Sequence, residues 1–115
     1  METLSALGAL AALSQETRLN VFRLLVKAGR EGMLAGELSS ALSVRTNTMS
    51  ANLAVLLSAD LVRNERQGRT IRYFANFEAI RALLGFIMED CCGGRPSLCR
   101  PLLDEIACSP ESAAP

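Results

Sequence analysis

The chain has 115 residues, half of them hydrophobic and 4% aromatic, with 12 basic and 12 acidic side chains and no net formal charge. This length suffices for one domain with a modest core, and the zero net charge argues against an indiscriminate nucleic-acid binder. No apolar run approaches the roughly 18 residues of a membrane span, and no basic flank precedes the first apolar residues. We therefore expect neither a membrane segment nor a signal peptide. The four cysteines then favour a reducing cytoplasm and thiols that are free or metal-bound.

The charges are unevenly distributed along the chain. Five arginines and two acids lie between Ser43 and Ala75, whereas five acids and two arginines lie between Gly85 and Pro115. A basic middle and an acidic end are typical of a module that touches phosphate through one edge only.

Two helices are predicted before Gly29. The first runs from Leu4 to Leu13 and is rich in Leu and Ala. Ser14 is the expected N-cap of the second, and Gly29 is its expected end. The helical period predicts that the buried stripe of the second helix consists of Leu19, Phe22 and Val26.

A third helix follows Gly32, and a fourth runs from Thr46 to about Ser58. Only Ser43, Val44 and Arg45 separate them, so the pair is predicted to form a helix-turn-helix. The third helix carries Leu34, Leu38, Ala41 and Leu42 on one face.

In the fourth helix, the buried face is predicted to hold Met49, Leu53, Leu56 and Leu57. That arrangement leaves an outward face of Asn47, Thr48, Ala51 and Val55, with Ser50 and Asn52 on the flanks. A small, uncharged, hydrogen-bonding face of this kind suits the major groove of DNA.

A β-hairpin is predicted next, with strands from Leu61 to Arg66 and from Thr70 to Ala75 around Gln67-Gly68. Its inward side chains are expected to be Val62, Ile71, Tyr73 and Ala75. Arg66 and Arg69 lie at the turn, so the hairpin is predicted to pack with its body and meet phosphates with its tip.

Asn76 is the expected N-cap of a last helix. Its apolar stripe is too wide for one partner in so small a domain, since it contains Ile80, Leu83, Leu84, Ile87 and Met88. Together with the apolar first helix, it predicts pairing between two protomers through Leu7, Leu10, Leu83, Leu84 and Ile87. We assign residues 1–92 to a DNA-binding and dimerisation domain. Residues 93–115 form a C-terminal extension that contains Cys99, and its end, from Ser109 to Pro115, is expected to be disordered.

Three thiols are close together in a chain without histidine. Cys91 and Cys92 are adjacent, and Cys99 follows a turn-forming stretch of two glycines and a proline. Adjacent cysteines bridge each other only with strain, and thiolates select soft metal ions. As(III) and Sb(III) take three thiolates, whereas zinc prefers four ligands. We therefore predict an As(III) or Sb(III) site at Cys91, Cys92 and Cys99, with Cys108 as a bystander. Cd(II), Pb(II), Zn(II) and thiol redox sensing remain alternatives.

Residues 13–19, 47–53, 59–62 and 67–73 carry a specific combination of motifs. On these residues, and over roughly residues 4 to 90, the chain resembles the ArsR/SmtB family of winged-helix metal-responsive repressors. The resemblance implies a mainly α fold with a β-hairpin wing, a cytoplasmic homodimer, and an operator that is released when an inducer binds. The third helix lacks the Cys-x-Cys pair of one type of arsenic sensor, and the absence of histidine differs from the zinc sensors. The thiols are similar to those of an arsenic-responsive branch with cysteines at the end of the last helix.

The predicted partner is double-stranded operator DNA. The candidate DNA-binding residues lie in the fourth helix, before it and in the hairpin tip: Arg45, Asn47, Thr48, Ser50, Ala51, Asn52, Arg66, Gln67 and Arg69. No organic cofactor is expected. A thiol reductase that uses Cys91 or Cys92 as nucleophile is the alternative of another class. It is disfavoured because the chain offers no histidine base and places Glu89 and Asp90 beside the thiols, where they would raise the thiol pKa.

Overall fold

The computed structural model describes residues 1–89, 101, 102 and 104–106. The three cysteines of the predicted inducer site, Cys91, Cys92 and Cys99, lie outside this part of the chain. Cys108, the domain boundary expected at residue 92 and the segment from Ser109 to Pro115 lie outside it as well.

Five α-helices, one short 3-10 helix (Gly29–Glu31) and three short strands form residues 1–89, and residues 101, 102 and 104–106 are helical as well. The helices are α1 (Thr3–Leu13), α2 (Glu16–Ala28), α3 (Ala35–Leu42), α4 (Thr46–Ser58) and α5 (Phe77–Ile87). The strands are β1 (Met33–Leu34), β2 (Val62–Gln67) and β3 (Thr70–Ala75). The predicted order of helices and hairpin is confirmed, and β1 is an addition to it.

The hairpin is the main part of a three-stranded antiparallel sheet with the order β1-β3-β2. Gln67 pairs with Thr70, which leaves Gly68 and Arg69 as a two-residue turn. Gly68 has a φ of +66°, a conformation that glycine adopts without a steric penalty. On the other side of β3, Met33 pairs with Tyr73. β1 thereby ties the start of α3 to the hairpin.

The core lies between the helices and one face of the hairpin. Its fully buried side chains are Val21, Leu25, Leu38, Met49, Leu53, Leu56, Leu61 and Leu83. In α4 the predicted inward face is confirmed, with Leu57 half-buried. Val62, Tyr73 and Ala75 are buried as predicted for the hairpin.

Several predicted buried positions are wrong, because packing on neighbouring elements decides which side chains of a helix or strand reach the core. The buried stripe of α2 is Val21, Phe22 and Leu25, while Leu19 and Val26 are 42% and 41% exposed. Ile71 is exposed because it lies at the start of β3, next to the hairpin tip and before the strand reaches the core. Ala41 is exposed because Leu38 carries the contact of α3 with the core.

The helix ends follow local hydrogen bonding. Ser14 does not cap α2; its hydroxyl donates to the carbonyl of Ala11 at 2.8 Å, and so belongs to the end of α1. Gln15 is the cap instead, since its side-chain oxygen accepts the backbone N–H of Arg18 at 2.9 Å. Asn76 caps α5 as predicted, by accepting the N–H of Ala79.

Candidate DNA-binding surface

α3 and α4 are joined by the predicted three-residue turn, Ser43 to Arg45. Ser43 has a φ of +55°, and the Val44 N–H donates to the carbonyl of Ser39 at 3.0 Å. This left-handed residue ends α3 abruptly and turns the chain into α4. Arg45 is exposed directly before α4, and its carbonyl accepts the N–H of Met49.

The outward side of α4 carries no charge. Its exposed residues near the N-terminal end are Asn47, Thr48, Ser50 and Ala51, which we call the reading face. None of the 13 residues of α4 is charged, although a helix that merely faces water normally carries lysine and glutamate. The Asn47 side-chain oxygen accepts the backbone N–H of Thr48 at 2.9 Å, and its amide nitrogen is not used in that bond. Small amides and hydroxyls of this kind match the donors and acceptors that bases display in the major groove.

The hairpin tip presents arginines. Arg66, Gln67 and Arg69 are all exposed, and neither Arg66 nor Arg69 forms an ion pair with any residue that the structure describes. The Arg66 Nε lies 3.4 Å from the carbonyl of Gly68, which keeps this side chain near the turn. The tip therefore presents two arginines on a tight turn with no acidic partner among the described residues, an arrangement that suits contact with DNA phosphates.

The body of the hairpin is held by two other arginines. Arg72 donates to the Gln67 side-chain oxygen at 3.0 Å and to the Glu31 carbonyl at 3.1 Å. It also lies 4.0 Å from the Glu37 carboxylate. The Arg63 guanidinium stacks 4.8 Å from the centre of the Phe74 ring. Arg72 thus ties the hairpin to Glu31 and Glu37, whereas Arg63 stabilises the pairing of β2 with β3 inside the hairpin. The side-chain oxygen of Gln67 is already engaged by Arg72.

Asn52 departs from the prediction. It was expected on the flank of α4 as a DNA contact, but its side chain is 8% exposed and faces inward. Its oxygen accepts from Arg18 Nη1 at 3.1 Å, and its nitrogen donates to the Thr48 carbonyl at 3.1 Å. We therefore remove Asn52 from the candidate DNA contacts. The pattern of α4 contained the signal, because Met49, Asn52, Leu53 and Leu56 have the 3-4 spacing of one buried face.

The predicted pairing surface is largely exposed in the isolated chain. Leu7, Leu10, Leu84 and Ile87 are between 44% and 56% exposed, and Leu4 on α1 is 80% exposed. Leu83 is the exception, since it is 2% exposed and packs in the core of its own protomer. It supports α5 from inside and is not available to a partner.

Within the described ranges, no three His, Cys, Asp or Glu side chains come close enough together to hold a metal ion. In the same residues, no helix is long and apolar enough to span a membrane.

The comparisons with known proteins agree with this architecture. A family model described as a helix-turn-helix domain matches residues 13–65, from the end of α1 to the middle of β2. The fold is a winged helix-turn-helix. In this fold β2 and β3 form the wing, and α4 occupies the place of the recognition helix. A search of curated protein sequences gives no significant match.

Several solved structures are similar to this chain over most of its length. One is HlyU from Vibrio cholerae N16961, with 26% identity, a TM-score of 0.63, and coverage of 80% of this chain and 99% of that one. An ArsR-like transcriptional regulator from Rhodococcus sp. RHA1 has 24% identity and a TM-score of 0.66, covering 92% of this chain and 96% of that one. The third is the homodimeric winged helix-turn-helix DNA-binding domain of Mb0332 from Mycobacterium bovis. It has 23% identity and a TM-score of 0.61, covering 84% of this chain and 83% of that one.

Proposed function

We propose that this chain is a transcriptional repressor of the ArsR/SmtB family, which acts in the cytoplasm and binds operator DNA as a homodimer. The observation that carries the proposal is the uncharged reading face on the second helix of a helix-turn-helix, together with a wing whose tip is basic. The similarity to structures described as ArsR-like or ArsR-family regulators supports the family assignment.

Sequence reading is assigned to the recognition helix. Asn47, Thr48 and Ser50 can exchange hydrogen bonds with base edges, and Ala51 offers a methyl group to a thymine. Arg45, immediately before the helix, is placed to meet a phosphate. The contacts of the helix with base edges distinguish one DNA sequence from another, whereas contacts with phosphate, such as that of Arg45, do not.

The wing tip supplies affinity that does not depend on sequence. Arg66 and Arg69 have no acidic partner among the described residues, so they can neutralise phosphates without first breaking an ion pair. Each neutralised phosphate releases condensed counterions, which makes binding weaken as salt rises.

The DNA contact is tested by Arg69→Ala in a fluorescence-anisotropy titration over a range of salt concentrations. We expect weaker binding to every duplex and a salt slope smaller by about one, because one phosphate contact is lost. Arg23→Ala on the exposed side of α2 is the matched control and should leave the slope unchanged. An unchanged slope in Arg69→Ala would remove the wing tip from the interface.

A homodimer is proposed because the exposed leucines of α1 and α5 need a cover. Leu4, Leu7, Leu10, Leu84 and Ile87 are too apolar to be left in water together, and a second copy offers a self-complementary surface across a two-fold axis. The homodimeric state of the similar Mb0332 domain supports the same assembly. Two recognition helices would then enter successive major grooves about 34 Å apart, on an imperfect inverted repeat.

As(III) or Sb(III) is the proposed inducer, bound by Cys91, Cys92 and Cys99. The support is the chemistry of the donor set, since three thiolates complete the coordination of a trivalent ion and the chain has no histidine. Cd(II), Pb(II), Zn(II) or thiol oxidation are the alternatives for the same residues. The cysteines follow α5, so a ligand there would act at the end of a helix that we place in the dimer interface.

Cys99→Ser tests the three-thiol site. We expect this variant to bind operator normally and to remain bound when arsenite is added, because two thiolates hold the ion less well than three. Cys108→Ser is the control and should be released like the native chain. Near neutral pH arsenite is As(OH)3, so the three thiol protons leave with its three hydroxides as water. The arsenite concentration needed for release should therefore depend little on pH in that range. Release of Cys99→Ser at the native arsenite concentration would contradict the site.

A further inference from the structure

Two partly buried hydrogen bonds connect α1 to the recognition helix through Arg18, and a third continues within that helix. Arg18 Nε donates to the carbonyl of Ala12 at 2.6 Å, and Arg18 Nη1 donates to the side-chain oxygen of Asn52 at 3.1 Å. The Asn52 nitrogen then donates to the carbonyl of Thr48 at 3.1 Å. The connection runs from the last turn of α1, through α2, to the residue that carries part of the reading face.

Asn52 lies where a hydrophobic side chain would otherwise be expected. Among the described residues it is the one buried polar side chain, and it shares the buried face of α4 with Met49, Leu53 and Leu56. A buried amide costs free energy unless its donors and acceptors are used, and here both its oxygen and its nitrogen are. A leucine at this position would bury more apolar surface. The amide therefore contributes directional hydrogen bonds rather than hydrophobic stabilisation.

Arg18 has an equally specific environment. No carboxylate within the described residues forms an ion pair with it. It binds instead to a carbonyl in the last turn of α1, where unpaired carbonyls and the helix dipole favour a cation. A planar guanidinium donates to two acceptors in fixed directions, so it holds the end of α1 and the side chain of Asn52 at a set separation.

From this arrangement we infer that Arg18 and Asn52 are positioning residues that fix the recognition helix relative to α1. The inference rests on the proposed function, and it adds a route from the subunit contact to the reading face. α1 carries Leu4, Leu7 and Leu10 on the surface assigned to the partner protomer, so a displacement of α1 there is transmitted to Thr48 through Arg18 and Asn52. Neither residue touches DNA in this assignment.

The test compares Arg18→Lys, Asn52→Leu and the double variant in titrations with operator and with an unrelated duplex. Lysine keeps the charge but has no planar pair of donors, and leucine keeps the bulk of the asparagine without its hydrogen bonds. We expect each single change to lower the ratio of operator affinity to non-specific affinity by about tenfold, with non-specific affinity unchanged, because phosphate contacts do not need a precise helix position. The double variant should lose no more than either single one, since both break the same connection. Arg23→Lys, on the solvent side of the same helix, is the control.

A purely structural role would lower the melting temperature and leave the affinity ratio at the native value, and that result would overturn the inference. Losses that multiply in the double variant would overturn it too. Amide hydrogen exchange without DNA gives an independent reading: Arg18→Lys should speed exchange at Met49 and Asn52 and at the end of α1, while exchange in β2 and β3 stays native. Native exchange at Met49 and Asn52 would reject the connection even if the chain bound no DNA, so that failure is distinct from failure of the proposed function.

Discussion

Gly32 is the glycine with the least room for a side chain among the described residues. A methyl group at this position would meet the carbonyl of Tyr73 and approach the Phe74 ring to 2.7 Å, and the φ of +61° adds strain for any other residue. The close approach allows β1 to pair with β3 immediately afterwards. Gly32 therefore stabilises the junction between α3 and the wing.

We expect Gly32→Ala to lower the free energy of unfolding by about 3 kcal/mol or more, since both the backbone conformation and the space are unsuitable. Gly36→Ala is the matched control: its methyl would meet nothing within 4 Å, and it lies in α3, so it should gain up to about 1 kcal/mol. Urea unfolding measures both. If the two variants were equally stable, Gly32 would not be closely packed against Tyr73 and Phe74.

Single residues also show where the sequence was informative and where it was not. The buried positions of α4 followed from the helical period, and Asn76 was recognised as a cap by its position before an apolar run. The sequence predicts burial of Leu19 and Val26 because several rows of apolar side chains along α2 have helical spacing. Only packing against α1, α3 and the sheet selects Val21, Phe22 and Leu25. Arg18 received no role because a partner 34 positions away in sequence leaves no local pattern.

The elements themselves were largely predictable. The three-residue turn between α3 and α4 and the hairpin with its glycine turn have local causes, so sequence spacing indicated them directly. β1 could not be predicted, because two residues are too short to show an alternating pattern and their pairing with β3 is long-range. The inward placement of Leu83 also depended on the packing of α5 on the protomer, which the width of an apolar stripe does not reveal.

The exposed apolar side chain of Leu84 on α5 leads to a prediction about assembly. Leu84→Glu should produce monomers in sedimentation velocity and should weaken operator binding, because a buried, unpaired carboxylate is costly in a dimer interface. Leu19→Glu is the matched control. Leu19 is 42% exposed and Leu84 is 47% exposed, but Leu19 lies on α2, outside the pairing surface. A native chain that sediments as a monomer at micromolar concentration would contradict the proposed interface.

The complete protein would act by holding two reading faces at a fixed separation. Operator half-sites have a set spacing, so a small change where α1 and α5 pair alters the fit of both recognition helices at once. An ion bound at the proposed thiols after α5 would need to supply a coupling free energy of about 1–3 kcal/mol, which corresponds to operator binding weaker by roughly 5- to 150-fold. The link through Arg18 and Asn52 would carry part of that change to Thr48.

Hydroxyl-radical footprinting of the native chain on the DNA upstream of its own gene tests the central claim most directly. The account predicts protection of the DNA backbone in two segments about 34 Å apart, centred on the half-sites of an imperfect inverted repeat. It also predicts that the protection is lost when arsenite is added. A contradictory result would be no protection at micromolar protein and low salt, or uniform protection that does not depend on the DNA sequence.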